Sequence, residues 1–205
     1  MPRTQRRTSP WLEHYKATAG QSPSETLTKA LALFEGETES KKRRFAIDLG
    51  CGGGKDTFEL LRRGWKVLAV DSEPEIIQWV NSTASPKYHA RLRTRVSFFE
   101  QLRLPKCDLI NASYSLPFCP PNQIDSLWRK IVVSITTGGR FAGHLFGIRD
   151  EWSKDADKTF HTIQQIGNLL SEFEMEHFHE DEREGTTASG RRKHWHVFSI
   201  VARKT

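Results

Sequence analysis

The feature that most constrains this chain is an apolar segment that runs into a glycine-rich turn, Phe45-Ala-Ile-Asp-Leu-Gly-Cys-Gly-Gly-Gly-Lys-Asp56. Four glycines within five positions do not suit the interior of a strand or helix, because each gives up backbone entropy and adds no side chain to the core. Apolar residues resume directly afterwards with Phe58, Leu60 and Leu61. The segment therefore predicts a buried strand, a sharp turn that a ligand can approach closely, and a helix.

A second apolar segment also ends in an acid, Lys66-Val-Leu-Ala-Val-Asp71. It lies about 20 residues beyond the glycine turn, the spacing at which a carboxylate can accept hydrogen bonds from both ribose hydroxyls of an adenosine. Asp71 can equally serve as a turn or capping residue before a helix that has Pro74 near its start. The two roles are compatible, and together with the glycine turn they predict a nucleoside cofactor.

The glycine spacing separates the candidate cofactors. The dinucleotide fingerprint G-x-G-x-x-G fails because Lys55 or Thr57 stands where its third glycine belongs, and the phosphate-loop motif lacks its Lys-Ser or Lys-Thr. The pattern D-x-G-x-G-x-G does match, as Asp48-Leu-Gly-Cys-Gly-Gly-Gly54. This is the motif of class I S-adenosylmethionine-dependent methyltransferases, which the chain resembles from about Trp11 onward.

Strand and helix patterns alternate along the chain, which predicts an α/β protein with a parallel sheet and right-handed crossovers. The third strand is predicted at 96–99 and a helix at about 156–171. Strands at 174–179 and 195–202 close the chain as a hairpin around a polar loop that includes 181–184. The resemblance implies a Rossmann-like, seven-stranded, mostly parallel sheet with an antiparallel last strand and helices on both faces. We expect one methyltransferase domain over residues 10–205, after a disordered basic tail at 1–9.

The resemblance also implies contacts with S-adenosylmethionine. Asp48 would serve the cationic end of the cofactor, directly or through water, and Asp71 would bind the ribose. Phe99 and Glu100 would hold the adenine, although Glu100 stands where Asp is more usual. Tyr15 is either part of a lid or a surface aromatic residue. The expected cofactor-binding residues are Tyr15, Asp48, Gly50, Cys51, Gly52, Gly54, Asp71, Ser72, Phe99, Glu100, Ala112 and Ser113.

The segment after the fourth predicted strand bears on the substrate. Many nucleic-acid base methyltransferases carry Asn-Pro-Pro or Asp-Pro-Pro and an aromatic residue here, whereas this chain has Asn111-Ala-Ser-Tyr114. The run that follows, with Gly143–Gly147, Arg149 and the closing Lys193–Phe198, looks most like small-molecule methyltransferases of the tellurite-resistance and thiopurine type. The resemblance therefore implies a small acceptor, such as a thiol or a metalloid oxyanion.

Catalysis by such an enzyme needs no nucleophilic side chain, because the sulfonium already makes the methyl group electrophilic. Positioning and desolvation supply most of the acceleration. His144, Tyr114 and Arg149 are the candidate catalytic residues, and His144 is alternatively a hydrogen-bonded core histidine. The pairs His177/His179 and His194/His196 could meet at a metal if their strands are neighbours, but strand histidines are usually structural and we predict no metal site.

The net charge of +6 gathers in basic clusters at Arg3–Arg7, Lys41–Arg44, Arg91–Arg95 and Arg191–Lys193. Such clusters are most simply solvated loop and tail residues, and no aromatic residues are interleaved for base stacking, so nucleic acid is disfavoured as a partner. The sequence carries no membrane span, no secretory signal and only 3 cysteines, which predicts a reduced, cytoplasmic setting. We expect a monomer or homodimer.

Three alternatives remain open at this point. One is an RNA or protein methyltransferase that uses the basic clusters. The second is a module that binds the cofactor without turnover, and the third is a nicotinamide-dependent dehydrogenase.

Overall fold

A computed structural model describes residues 20–37, 44–187 and 190–205. The predictions for the 1–9 tail and for Tyr15 lie outside these residues. The helices of the described part are α1 (Glu25–Glu35), α2 (Lys55–Arg62), α3 (Pro74–Thr83), α4 (Ile124–Ser134) and α5 (Ile163–Leu169). Its strands are β1 (Phe45–Leu49), β2 (Lys66–Asp71), β3 (Leu92–Val96), β4 (Cys107–Ala112), β5 (Ile135–Gly147), β6 (Phe160–His161), β7 (Phe173–Thr186) and β8 (Arg192–Lys204).

These strands form one sheet in the order β3-β2-β1-β4-β5-β8-β7, with β6 paired beside β5. Strands β1 to β6 run parallel to one another, while β8 is antiparallel to both β5 and β7. The predicted mostly parallel α/β sheet with an antiparallel last strand is confirmed. The described sheet has eight strands rather than seven, because the two-residue β6 adds to it.

Alternate residues of the strands enter different cores. One core joins strand residues such as Ala46 and Val201 to Leu31 of α1 and Leu60 of α2. The other joins residues such as Ile47 and Ile200 to α4, through side chains that include Trp128 and Ile131. We call these two sides the α1 face and the α4 face of the sheet. Helices therefore cover both faces, as the period-two burial of a two-sided sheet requires.

The parallel strands end at a common border, which we call the carboxyl edge. Leu49, Asp71, Ala112 and Gly147 are the last residues of β1, β2, β4 and β5 at this edge. The chain leaves β1 toward β2 on one side, and β4 lies on the other side of β1. Such a reversal of strand order opens a crevice at the carboxyl ends, and open α/β sheets bind their ligands there.

Three predicted boundaries are wrong. β3 is Leu92–Val96 rather than 96–99, because the chain turns at Phe99–Gln101. The helix predicted from about 156 begins only at Ile163, where Thr162 and Gln165 form a capping box. The segment 181–184, expected to be a loop, belongs to β7 and pairs with β8. Charged residues on this strand are held by partners across the hairpin, which an apolar pattern cannot reveal.

Candidate active site

The glycine turn between β1 and α2 needs its glycines for conformational and steric reasons. Gly50, Gly52 and Gly54 have φ angles of 67°, 49° and 86° in the left-handed region. A Cβ at Gly50 would lie 2.4 Å from Cβ of Ser115, and one at Gly54 would lie 2.8 Å from the Phe58 ring. The turn is therefore packed against the chain beneath it, and its backbone approaches the carboxyl edge without side chains in the way.

Asp71 ties this turn to the next strand. Its carboxylate accepts hydrogen bonds from the backbone N–H of Gly52 at 3.0 Å and from that of Glu73 at 3.1 Å. Burial raises the pKa of Asp71. A carboxylate has about four lone-pair positions, so these two bonds leave capacity for a ligand. The expected turn role is present, and the ribose-binding role stays a prediction.

Asp48 lies beneath the turn rather than on its surface. Its two oxygens accept hydrogen bonds from Thr57 Oγ1 at 2.6 Å and from Asn111 Nδ2 at 2.8 Å, and the residue is 2% exposed. Burial and the neighbouring Asp56 carboxylate raise the pKa of Asp48 to about 7. The structure gives Asp48 a visible part in holding α2 and β4 together, and its service to a cationic ligand stays a prediction.

Asp56 extends this buried polar network to α1. It accepts hydrogen bonds from the backbone N–H and the hydroxyl of Ser24, both at 2.8 Å, and from Asn111 Nδ2 at 3.0 Å. Sequence reasoning missed Asp56, Thr57 and Asn111. The available signal was the presence of polar residues at the end of one apolar strand and in the first turn of the helix that follows another.

Tyr114 and His144 come together at the ends of β4 and β5. Their rings stack with centroids 4.0 Å apart and 12° between planes, and Tyr114 is the non-glycine residue of the described chain with a left-handed φ, at 52°. His144 is buried, and within the described residues its Nδ1 has no hydrogen-bond partner. Burial, with a smaller contribution from the charge of Lys55, lowers the pKa of His144 to about 3. The imidazole is therefore neutral at pH 7.

Further aromatic side chains pack beside Tyr114. Together with Tyr114 they form what we call the aromatic cluster: Tyr114, Phe118, Phe146, Trp152 and Trp195. Trp195 lies 6.5 Å from Tyr114, 5.8 Å from Phe146 and 5.5 Å from Trp152 between ring centroids. The cluster stands just beyond the carboxyl edge, where it can exclude water from a bound ligand.

A buried ion pair packs against two rings of the aromatic cluster. Lys193 Nζ lies 2.5 Å from Asp150 Oδ1, both side chains are fully buried, and the ammonium sits 3.6 Å from the Trp195 ring centroid and 4.1 Å from that of Trp152. Asp150 also accepts from the backbone N–H of His196 at 3.1 Å. The expectation that the cluster at Arg191–Lys193 is solvated is wrong for Lys193, because its charge is paired and covered by aromatic rings.

The Arg149 side chain reaches the α4 face of the sheet. Its guanidinium donates to Glu182 at 2.8 Å and to Glu180 at 2.7 Å. These two β7 glutamates pair with His196 and Phe198 of β8, and Phe198 belongs to the core on the α4 face. Trp195 projects to the opposite face from these residues because side chains alternate along a strand. The structure therefore brings Tyr114 and His144 together and leaves Arg149 apart from them.

The four strand histidines do not converge. His177 and His179 pair with Val201 and Ser199, whereas His194 and His196 pair with Glu184 and Glu182. Paired residues share a face and successive residues alternate, so the two histidine pairs lie on opposite faces of the hairpin. The alternative of a metal site built from all four is wrong on this geometry.

The remaining candidates are spread along the carboxyl edge. Phe99 is partly buried against the core on the α4 face, and the Glu100 side chain is exposed while its carbonyl accepts from Lys130 at 2.9 Å. Because β3 ends at Val96, neither stands directly at a strand end. Cys51 and Ala112 are buried, Ser72 follows Asp71, and the hydroxyl of Ser113 is buried with no partner in the described part of the chain.

Comparison with known proteins agrees with this architecture. Residues 46–139 match the family model described as a methyltransferase domain. The chain is 34% identical to magnesium-protoporphyrin O-methyltransferase of Rhodobacter capsulatus over an aligned segment of 70 residues. This segment covers 34% of this chain and 31% of that protein. The chain thus spans about a third of the length of this curated relative.

Two solved structures share the fold. TehB from Haemophilus influenzae superposes with a TM-score of 0.69 at 17% identity, over 85% of this chain and 62% of that one. Magnesium protoporphyrin IX methyltransferase from Synechocystis PCC 6803, solved with bound SAM, gives a TM-score of 0.66 at 14% identity, over 96% and 92%. The fold that the resemblance implied is confirmed, and the methyltransferase match covers the part of the chain that holds the glycine turn.

Proposed function

We propose that this chain is a class I methyltransferase that transfers a methyl group from S-adenosylmethionine to a small-molecule acceptor. Its residues 46–139 match a methyltransferase domain. The observation that carries the proposal is the left-handed glycine turn at the strand-order reversal, tied to Asp71 by the hydrogen bond from Gly52. No helix of the described residues is long and apolar enough to cross a membrane.

The residues at the carboxyl edge fit this cofactor. Asp71 retains acceptor capacity for a ribose hydroxyl, and the glycine turn leaves room for a close approach of the amino-acid tail. The buried hydroxyl of Ser113 still needs a hydrogen-bond partner. When bound, the cofactor supplies a methyl group already activated by its sulfonium.

The chain's own part in the reaction is to orient the acceptor and keep water out. Holding two reactants in line can offset roughly 7–11 kcal/mol of barrier. With its pKa near 3, His144 is a poor proton acceptor at pH 7, so we assign it the positioning of Tyr114 through their stacked rings. A strained backbone at Tyr114 is the kind of feature that concentrates at functional sites.

The aromatic cluster supports a compact acceptor over a nucleic-acid strand. Its rings are packed against each other and against the buried Lys193–Asp150 pair rather than spread along a basic groove. Two of the three named relatives are magnesium-protoporphyrin methyltransferases, and that acceptor is also a small molecule. We retain thiols and metalloid oxyanions as the acceptor classes, and a single cytoplasmic domain acting as a monomer or homodimer.

The first experiment is calorimetry with S-adenosylmethionine, S-adenosylhomocysteine and NAD. We expect heat with the first two and none with NAD, and we expect Asp71→Ala to raise the Kd of S-adenosylhomocysteine at least tenfold. Asp157→Ala removes an exposed carboxylate away from the turn and should leave the Kd unchanged. Binding of NAD alone would contradict the proposal.

The second experiment measures turnover. The protein is mixed with S-adenosylmethionine and a panel of thiols, selenite and tellurite, and formation of S-adenosylhomocysteine is followed. We expect formation with at least one acceptor and its loss in Asp71→Ala. Cofactor binding without transfer to any acceptor would instead favour the non-catalytic module.

A further inference from the structure

A second cleft lies on the α4 face, at the border of the sheet formed by β3. The connection from β3 to β4 contains one short turn, Phe99–Gln101, in place of a full crossover helix. It leaves a cavity of about 390 Å³, whose lining comes from β1, β2, β3 and this connection. Nothing in the proposed methyl transfer uses this cavity.

Three arginines and an apolar floor define the cleft. Arg93 and Arg95 pair with Leu68 and Val70 of β2, so both project to the α4 face, and Arg103 reaches the cavity from the connection. The guanidinium of Arg95 donates to the carbonyl of Arg103 at 2.8 Å, which holds the two walls together. The floor comes from Phe45, Leu68 and Leu104.

The charges in this cleft are unopposed. The lining contains no acidic residue, and among the described residues none of the three guanidiniums forms an ion pair with a carboxylate. Some other arginines of the described chain are paired instead, since Arg140 and Arg149 each contact two glutamates. Guanidiniums that line one cavity without counter-charges favour an anion that offers each of them a pair of acceptor oxygens, such as a phosphate or carboxylate.

We propose that this cleft binds a small organic anion that carries a phosphate or carboxylate on a flat apolar ring. The guanidiniums of Arg93, Arg95 and Arg103 face the anionic group, and the ring lies against Phe45 and Leu68. The volume falls in the usual range for small-molecule sites, roughly 300–1,000 Å³. Phe45 begins β1 and the glycine turn follows its end, about 13 Å further along the strand, so the two sites are separate.

The proposal is tested by calorimetry with 1-naphthyl phosphate at 50 mM salt. We expect its Kd to be at least tenfold lower than that of inorganic phosphate or of 1-naphthol. Only the intact probe can contact the guanidiniums with its phosphate and the apolar floor with its ring. The Kd should rise at 300 mM salt, since exposed charges are screened. Saturating S-adenosylhomocysteine should leave the Kd unchanged.

Two variants assign the site. Arg93→Gln combined with Arg103→Gln should raise the Kd for 1-naphthyl phosphate at least tenfold while binding of S-adenosylhomocysteine is retained. Arg192→Gln removes the same charge from an exposed position on β8 and should change neither. The proposal fails if the double variant binds the probe as the parent does, or if S-adenosylhomocysteine displaces the probe. Tighter binding of an RNA oligonucleotide through the same arginines would also overturn it, in favour of a nucleic-acid surface.

Discussion

At the scale of single residues, Gly50 is the position whose chemistry is most constrained. Its left-handed backbone costs a residue with a side chain about 1–2 kcal/mol, and a Cβ there would collide with Ser115. We predict that Gly50→Ala lowers the free energy of unfolding by at least 2 kcal/mol in urea denaturation.

Gly167 is the matched control for this prediction. It lies within α5, its φ is not left-handed, and a Cβ there would meet no atom of the described residues within 4 Å beyond the neighbouring turns of its own helix. Gly167→Ala should therefore be neutral or stabilise by about 1 kcal/mol. Equal destabilisation by both substitutions would show that the steric account of the turn is wrong.

His144 makes a prediction about pH. Its pKa in the folded protein is near 3, below the ordinary value near 6.5, so at lower pH the unfolded chain binds a proton that the folded chain does not. Stability should therefore fall as pH drops from about 6.5 toward 3, by up to about 1.4 kcal/mol per pH unit from this group.

The measurement compares urea unfolding at pH 7 and pH 5. His144→Phe should lose about 1–2 kcal/mol less between these values than the parent does. Tyr114→Phe keeps the stacked ring and the imidazole and should retain the parent's dependence. Asp48 opposes this trend, because its pKa is raised to about 7 in the folded protein. Its contribution to the free energy of unfolding is therefore fully present below the ordinary carboxyl pKa and is lost as pH rises through 7. An unchanged pH dependence in His144→Phe would refute the assignment.

At the scale of elements, the buried pair of Lys193 and Asp150 joins β8 to the segment that follows β5. Removing one member leaves an uncompensated buried charge, so Lys193→Met and Asp150→Leu should each cost about 3–5 kcal/mol. The double variant should be clearly more stable than the sum of the two losses predicts, because no charge remains buried.

Chemical denaturation of the four members of this cycle measures the coupling. Lys130→Met is a suitable control, since its ammonium donates to the carbonyl of Glu100 and, among the described residues, forms no ion pair with a carboxylate. Additive losses in the double variant would mean that Lys193 and Asp150 do not depend on each other.

At the scale of the whole molecule, one sheet separates two cores, so both cores should unfold together. Buried tryptophans report on both sides, with Trp65 on the α1 face and Trp128 on the α4 face. We predict coincident transitions by tryptophan fluorescence and far-UV circular dichroism. S-adenosylhomocysteine at 100 times its Kd should raise the free energy of unfolding by about 2.7 kcal/mol in both signals. Two separate transitions would contradict a single cooperative unit.

The sequence by itself determined the class of fold and the place of the glycine turn. Both are written in short, local patterns: apolar runs of strand length, glycines at left-handed positions, and acids at two strand ends. These patterns depend on backbone sterics and on burial along one segment, so the residues of that segment are enough to recognise them.

Only the tertiary structure decided the partners of the polar residues. The link from Asp48 and Asp56 to Asn111 spans 63 and 55 residues, and that from Lys193 to Asp150 spans 43. Whether such a residue is solvated, paired or stacked depends on which strands become neighbours and in what register. For the same reason the sequence pattern places Lys193 among solvated charges and Arg149 beside His144. The basic cluster at Arg91–Arg95 is visible in the sequence, but its meeting with Arg103 in one cleft is not.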